Sequence, residues 1–257
     1  MMDGMSSVKG AQSIARAGAV LRIVASTAAG ATTADVVTRT DLTRPTVHRL
    51  LMALAAEGLV DQDNRTGHWF PGPELYLMGS VAAERYDIGD VARESVVSLA
   101  ARTGESAFLS VRRADETVCL LREEGSFPIR SFVLYEGVRF PLGVASAGLA
   151  ILAFLPPGQV DAYLRRAGDL SERWGDQHAE GPLRQRLAET RERGYAVNPA
   201  LIVEGSWGMG AAVFDKRGEP AWALSITGVE SRFRADRHAE LGALLLEHAH
   251  EITKRLQ

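Results

Sequence analysis

Between positions 39 and 49 the chain sets Arg39, Arg44, His48 and Arg49 against a single acid, Asp41, with the hydroxyls of Thr43 and Thr46 among them. Guanidinium forks can donate twice to guanine O6 and N7, and threonine can reach phosphate or a thymine methyl, so this is chemistry suited to duplex DNA. Charged helix faces are also common as plain solvated surface, and the stretch alone does not separate the two. Arg65 stands in Asp63-Asn64-Arg65-Thr66-Gly67, a turn whose tip can touch phosphate or a minor groove. Asp61 and Asp63 would repel phosphate there, which limits contact to Arg65 itself. Farther on, Ala221, Ala223, Ser225 and Thr227 share one face of an alternating run and Trp222, Leu224 and Ile226 the other. That small polar face is either a solvated sheet edge or, if a helix covers it, the floor of a pocket.

Catalytic chemistry finds no support. Neither Ser146 nor Ser206 lies in G-x-S-x-G, and Gly205-Ser206-Trp207-Gly208-Met209-Gly210 lacks the third glycine and the strand-to-helix context of a dinucleotide fingerprint. That segment reads as a flexible loop with Trp207 as an apolar lid, or as a plain turn entering a strand. The six histidines (His48, His68, His178, His238, His248 and His250) show no metal spacing. His248 and Glu251 are one helical turn apart, but Glu247 and His250 beside them suggest a solvated face. Cys119, within V-C-L-L, reads as a small buried hydrophobe. No catalytic residue, metal or cofactor is expected.

A chain of 257 residues, 46% hydrophobic and 24% charged, can build two small cores and is not globally disordered. Its net charge of −3 is nearly balanced and shows no general polyanion-binding character, which counts mildly against DNA binding; the counterweight is local, in the cations at 39–49. One cysteine rules out an intrachain disulfide and fits a reducing compartment. No apolar run is long enough to span a bilayer, and residues 1–10 lack a signal peptide's charged start and apolar middle. The expected location is cytoplasmic, with no membrane partner.

The periodicities place these residues on elements. Residues 1–12 are small and polar and predict a frayed end; 13–28 carry a helical pattern with Ser13 as its cap, broken by Gly30. A short helix over 34–40 turns at Asp41-Leu42 into a second, where Val47, Leu50, Leu51 and Leu54 form the core stripe. Thr43 is placed to cap that second helix, Pro45 sits in its first turn, and Gly58 ends it. Strands at 59–62 and 68–70 around the Arg65 turn complete a winged helix-turn-helix. Pro71-Gly72-Pro73 punctuates the chain, and a linker helix follows. Beyond it, strands are expected at 106–111, 118–121, 130–134, 210–214 and 221–227 and helices at 145–155, 159–166, 182–193 and 240–256, an α+β domain. The domain expectation is a DNA-binding unit at 1–75, a linker helix at 76–88 and a second domain at 89–257.

The ordered set T-V-H-R-L-L with E-G-L-V, then P-L-G-V-A-S-A-G-L-A-I-L-A-F-L from Pro141, R-G-Y-A-V-N from Arg193, G-A-A-V-F-D-K-R-G from Gly210 and A-L-S-I-T-G from Ala223 resembles the IclR-type transcriptional regulators along nearly the whole chain. The resemblance implies an N-terminal winged helix, a linker helix and a C-terminal effector-binding domain related to GAF/profilin-like sheets. It also implies homodimers or homotetramers that bind palindromic double-stranded promoter DNA. By the family's motif positions, an effector would be lined by Ser146 and Ala147, by Asn198, and by Ser225 and Thr227, with Gly208 at a further family position and Trp207 as the lid of the loop reading. Asn198 stands where the family often has an acid, Leu149 where a lysine is common, and Gly208 where cysteine or a polar residue is frequent. These departures make the pocket less charged and weaken transfer of any particular small-acid ligand. The expected effector is a small organic metabolite, an aromatic or oxo-acid. The rival expectations are a winged-helix module that binds protein rather than DNA, and a ligand-binding or enzymatic C-terminal domain without DNA binding.

Overall fold

The computed structural model describes residues 11–27, 29–83, 88–129 and 132–257. The chain divides into two units, Met1–Tyr86 and Asp87–Gln257. In the first, helices α1 (Ala11–Ala25), α2 (Thr33–Thr38) and α3 (Arg44–Ala56) precede a hairpin of β1 (Val60–Gln62) and β2 (Trp69–Pro71), and α4 (Pro73–Ala83) follows. Val20, Val24, Val36, Val47, Leu51 and Trp69 form the core, so the stripe read along α3 does face inward. Ala31 bridges to Trp69 and ties the chain before α2 to the hairpin.

The helix starts depart from expectation. α1 already covers Ser13, which is therefore inside the helix and not its cap. α2 begins with a capping box: the Asp35 amide donates to Thr32 Oγ1 (3.1 Å) and the Thr32 amide to Asp35 Oδ2 (2.8 Å). Thr32 Oγ1 also donates to Asp35 Oδ2 (2.6 Å), and this bond, with that from the Thr32 amide, holds the Asp35 carboxyl below its usual range. Thr43 does occupy the N-cap position of α3, but its hydroxyl faces Thr46 Oγ1 at 3.0 Å and bonds no backbone amide. Gly58, at φ +67°, ends the helix as expected. α4 begins at Pro73, ahead of the expected linker start at 76, because Gly72 packs on the Gly58 carbonyl and turns the chain there; a Cβ on Gly72 would lie 2.2 Å from that oxygen.

The second unit opens with α5 (Ile88–Thr103), β3 (Ser106–Arg113), β4 (Glu116–Glu123) and β5 (Arg139–Pro141). Four helices follow: α6 (Ser146–Phe154), α7 (Pro157–Ala167), α8 (Ser171–Trp174) and α9 (Glu180–Arg193). Strands β6 (Ala196–Pro199), β7 (Ser206–Phe214) and β8 (Pro220–Val229) and helix α10 (His238–Arg255) complete it. The six strands form one antiparallel sheet in the order β5-β4-β3-β8-β7-β6. Leu99 of α5 and Leu241 and Leu245 of α10 pack with Leu109, Met209, Leu224 and Ile226 on one face. Leu149 and Leu152 of α6, with Leu183 and Leu187 of α9, pack with Ala196 and Ala223 on the other.

Four readings are corrected. Residues 130 and 131 lie outside the described residues and 132–134 are irregular, so no strand runs through 132–134; β5 forms later and pairs with the edge of β4. β6 was not expected, being four residues long and ending in Asn198-Pro199. The glycine-rich 205–210 is mostly strand β7, because a helix packed on it leaves no room for side chains. His248 is buried rather than solvated, since that face of α10 packs on α5 and sets its Nε2 3.4 Å from Ser98 Oγ. Among the described residues no helix is long and apolar enough to cross a membrane.

The capping contrast is testable by urea denaturation. Thr32→Ala should destabilise the first unit by about 1 kcal/mol, and Thr43→Ala should leave it within a few tenths of wild type. Equal losses in both variants would contradict the assignment.

Candidate functional site

On the first unit, α3 presents Arg44, Pro45, His48, Arg49, Met52, Ala53 and Ala56 to solvent. Arg44, His48 and Arg49 have no hydrogen-bond or ion-pair partner among the described residues, so their donors are uncommitted. Thr46 is half-buried against Thr43. Arg39 differs: its guanidinium donates to Ser26 Oγ (3.0 Å) and Thr27 Oγ1 (3.3 Å), fastening α2 to the end of α1. At the hairpin tip the Asp63 carboxylate accepts from the amides of Arg65 (2.7 Å) and Thr66 (3.2 Å), which hold it below its usual range. That acid is spent on the turn, while the Arg65 side chain points into solvent.

On the second unit, the start of α6 lies directly on the sheet. Asn198 of β6 pairs with Gly208 of β7, Gly208 with Thr227 of β8, and Thr227 with Ser106 of β3. The next row is Ala196, Gly210, Ser225 and Phe108. A Cβ on Gly210 would sit 3.0 Å from the Ser146 backbone, and one on Gly208 3.1 Å from Ser146 Oγ. The two glycines are what admit the helix. The turn before it is held by three successive carbonyls: Leu142 accepts from the Tyr163 hydroxyl, Gly143 from Arg186 Nη2 (3.1 Å) and Val144 from Asn198 Nδ2 (3.1 Å). No side chain caps α6, so its first amides remain donors.

Beneath this helix the hydroxyls of Ser225 and Thr227, and that of Ser106 opposite Thr227, are buried and have no hydrogen-bond partner among the described residues. A cavity of about 20 Å³, enough for roughly one water, touches Ser146, Asn198, Gly208 and Thr227 beneath Leu134 and Ile202. It shares Val133 and Ser206 with an outer hollow of about 520 Å³ walled by Phe132, Val203 and Val229. Phe132 and Val203 are exposed, so the segments over the cavity carry apolar surface on the solvent side.

The structure thus brings Ser146, Asn198, Gly208, Ser225 and Thr227 together, with Ser225 one row deeper than the cavity. Ala147 packs instead in the core under α6. Trp207 borders the inner cavity, but strand alternation turns its indole to the opposite face, 5.8 Å from the His238 ring, where it does not cover the cavity as a lid. Ser106 was missed. Its signal was the alternation Ser106-Ala107-Phe108-Leu109, which puts a small hydroxyl beside Thr227 once β3 and β8 pair. Burial pushes the Cys119 thiol up to about 12, so it is no nucleophile at neutral pH. Among the described residues no group of three or more His, Cys, Asp or Glu is placed to hold a metal ion.

A winged helix-turn-helix with an uncommitted cationic helix face, joined to a sheet domain with a buried polar cavity, defines a two-domain transcriptional regulator. Residues 13–64 match the IclR helix-turn-helix domain and residues 80–254 the bacterial transcriptional regulator IclR C-terminal domain. The chain belongs to the IclR family of transcriptional regulators, whose members are DNA-binding proteins and not enzymes. It is 30% identical over 252 residues to the HTH-type transcriptional regulator BhcR of Paracoccus denitrificans, covering 97% of this chain and 89% of that one. It is also similar to the crystal structure of an IclR regulator from Alicyclobacillus acidocaldarius (TM-score 0.77, 25% identity, 96% and 99% of the two chains). A third relative, an IclR homolog from Microbacterium hydrocarbonoxydans crystallised with 4-hydroxybenzoate, shares the fold (TM-score 0.75, 24% identity, 95% and 98% covered).

A buried hydroxyl without a partner costs about 1–3 kcal/mol. Ser225→Ala and Thr227→Val should therefore each raise the stability of the free protein, by about 1 kcal/mol in chemical denaturation. A fall in stability would show that the protein satisfies these hydroxyls itself.

Proposed function

We propose that the protein is a promoter-binding regulator whose hold on DNA is set by a small organic effector in the cavity beneath α6. One observation carries the effector reading: Thr227, whose buried hydroxyl has no partner among the described residues, lines the cavity with Ser146 and Asn198 beside the uncapped start of α6, and the unpartnered hydroxyls of Ser106 and Ser225 lie next to it on the same sheet face. Hydroxyls and helix-start amides together suit a ligand with a carboxylate or carbonyl, and Leu134 and Ile202 suit an apolar body. A small aromatic or oxo-acid has both. Entry of such a molecule requires the segments around 132–134 and 200–205 to move, since the inner cavity holds only about 20 Å³.

In this reading Arg44, Thr46, His48 and Arg49 meet the major groove, with Thr43 at the helix start, and Arg65 reaches phosphate or the minor groove. Arg39, tied to the end of α1, adds charge near the backbone. A palindromic operator needs two such helices. Exposed Tyr76, Leu77, Met78 and Val81 on α4 supply an apolar surface on which a second copy would pack to give a homodimer, the building block of any homotetramer. The domain organisation we favour is a DNA-binding unit and linker helix ahead of residue 88, then the effector domain. Effector control requires differential affinity for two arrangements of the linker helices, typically about 1–3 kcal/mol.

Two measurements test this. With the DNA upstream of its own gene, the Arg44→Ala, Arg49→Ala variant should lose specific binding by at least about 30-fold, as expected for two contacts of about 1–3 kcal/mol each. Wild-type binding should weaken steeply with salt; retention of specific binding by the variant would reject this face as the reader. In sedimentation velocity, Leu77→Glu with Val81→Glu should shift the protein toward monomer, and an unchanged assembly would place the interface elsewhere.

A further inference from the structure

Along β8, Ser225, Thr227 and Val229 share one sheet face, and Gly210, Gly208 and Ser206 of β7 lie beside them in register. The inner cavity lies on the Thr227–Gly208 row, and the outer hollow of about 520 Å³ on the Val229–Ser206 row, the next step along the same face. Two residues of strand separate these rows, roughly 7 Å. The segments above the face cross from one space to the other in the same step: Leu134 and Ile202 wall the inner cavity, Phe132 and Val203 the hollow, and Val133 both. The chemistry changes along the way. Thr227 is buried, with a hydroxyl that has no partner among the described residues, beside the uncapped start of α6. Phe132 and Val203, by contrast, are 76% and 52% exposed. Among the described residues lining either space, the one charged group is Glu204, exposed next to Val203.

A molecule that suits both spaces pairs a small acceptor at one end with an apolar body at the other. A carboxylate accepts from hydroxyls and from helix-start amides, and needs no cation to do so. The far end must be uncharged, because Glu204 repels a second anion there and Phe132, Val203 and Val229 offer it only apolar area. We propose that the effector is an elongated monocarboxylate, with its carboxyl group at Thr227 and an uncharged apolar end in the outer hollow. This rests on the effector reading given above and narrows it. A short oxo-acid would leave the hollow empty, whereas a benzoate with a short chain opposite its carboxyl group spans both rows. Such a chain covers Phe132 and Val203, apolar surface that the free protein exposes, so affinity should grow with the apolar length of the ligand.

Isothermal titration calorimetry of the full chain with 4-methylbenzoate and 4-butylbenzoate is the test. The longer chain should bind at least about tenfold more tightly, since each fully buried methylene is worth roughly fourfold. 4-(3-Carboxypropyl)benzoate, of the same reach but charged at both ends, should bind at least about tenfold more weakly than the butyl acid. Phe132→Ser with Val203→Ser removes two exposed side chains that the fold does not depend on. It should bring the butyl acid to within about threefold of the methyl acid and leave the methyl acid unchanged. Thr227→Val should weaken both alkyl acids by about tenfold or more, the loss of one hydrogen bond to a charged group. Equal affinity of the two alkyl acids, equal binding of the dicarboxylate, or a chain-length preference that survives the double serine variant would overturn the proposal and leave the effector reading standing. Tight binding of the butyl acid that ignores Thr227→Val would also overturn it, by showing an apolar surface with no link to the inner cavity. If neither alkyl acid binds the wild-type protein, the carboxylate reading of the inner cavity falls as well.

Discussion

Everything in the second unit depends on how closely α6 can approach the sheet. At Gly208 and Gly210 a single added carbon would collide with Ser146 or its backbone, so the helix start is seated where β7 has no side chains. With the helix seated there, Ser225 and Thr227, and Ser106 beside Thr227, are buried, so a polar stripe becomes an interior surface beside the uncapped start of α6. A sheet edge and a pocket floor have the same local sequence; what separates them is whether a helix can lie on top.

Seating the helix has a polar cost that the surrounding elements offset. Three carbonyls in a row before α6 would be left short of donors in a dry interior, and each is met from a different element: α7 through Tyr163, α9 through Arg186 and β6 through Asn198. The turn is therefore fixed from three sides while the face beneath it keeps unmatched hydroxyls. Rigid surroundings with unsatisfied groups in the middle are how a site can favour a ligand over water, because the donors need not reorganise to bind. The free protein gives up stability to keep them that way.

Sequence reading recovered the parts governed by local rules. The core stripe of α3, the Gly58 stop and the alternation of β8 follow from periodicity and from glycine's tolerance of positive φ. Ser146, Asn198, Gly208, Ser225 and Thr227 were named from family resemblance, and only strand pairing shows how they meet. The misses share a cause. Ser106 becomes a neighbour of Thr227 only through the β3–β8 register, about 120 residues away in sequence, and β5 and β6 are too short to show a period. Trp207 was misplaced because a glycine-rich run imitates a loop when the real reason for its glycines is a helix pressed against it. His248 looked solvated because its acidic neighbours on α10 hide the fact that its own side faces α5.

The same logic governs the DNA-reading half, where the net charge of −3 looked unhelpful. A whole-chain balance averages over carboxylates that are already occupied: Asp35 in a helix cap, Asp63 in a turn, Glu247 on Arg102. What is left over is the donors without partners among the described residues, and on α3 and the hairpin tip these are Arg44, His48, Arg49 and Arg65. Arg39, equally basic in the sequence, is already bonded to Ser26 and Thr27 and contributes position more than reach. Both halves of the protein are therefore marked by polar groups that the fold leaves unsatisfied, exposed on α3 and the hairpin tip in one case and enclosed beneath α6 in the other.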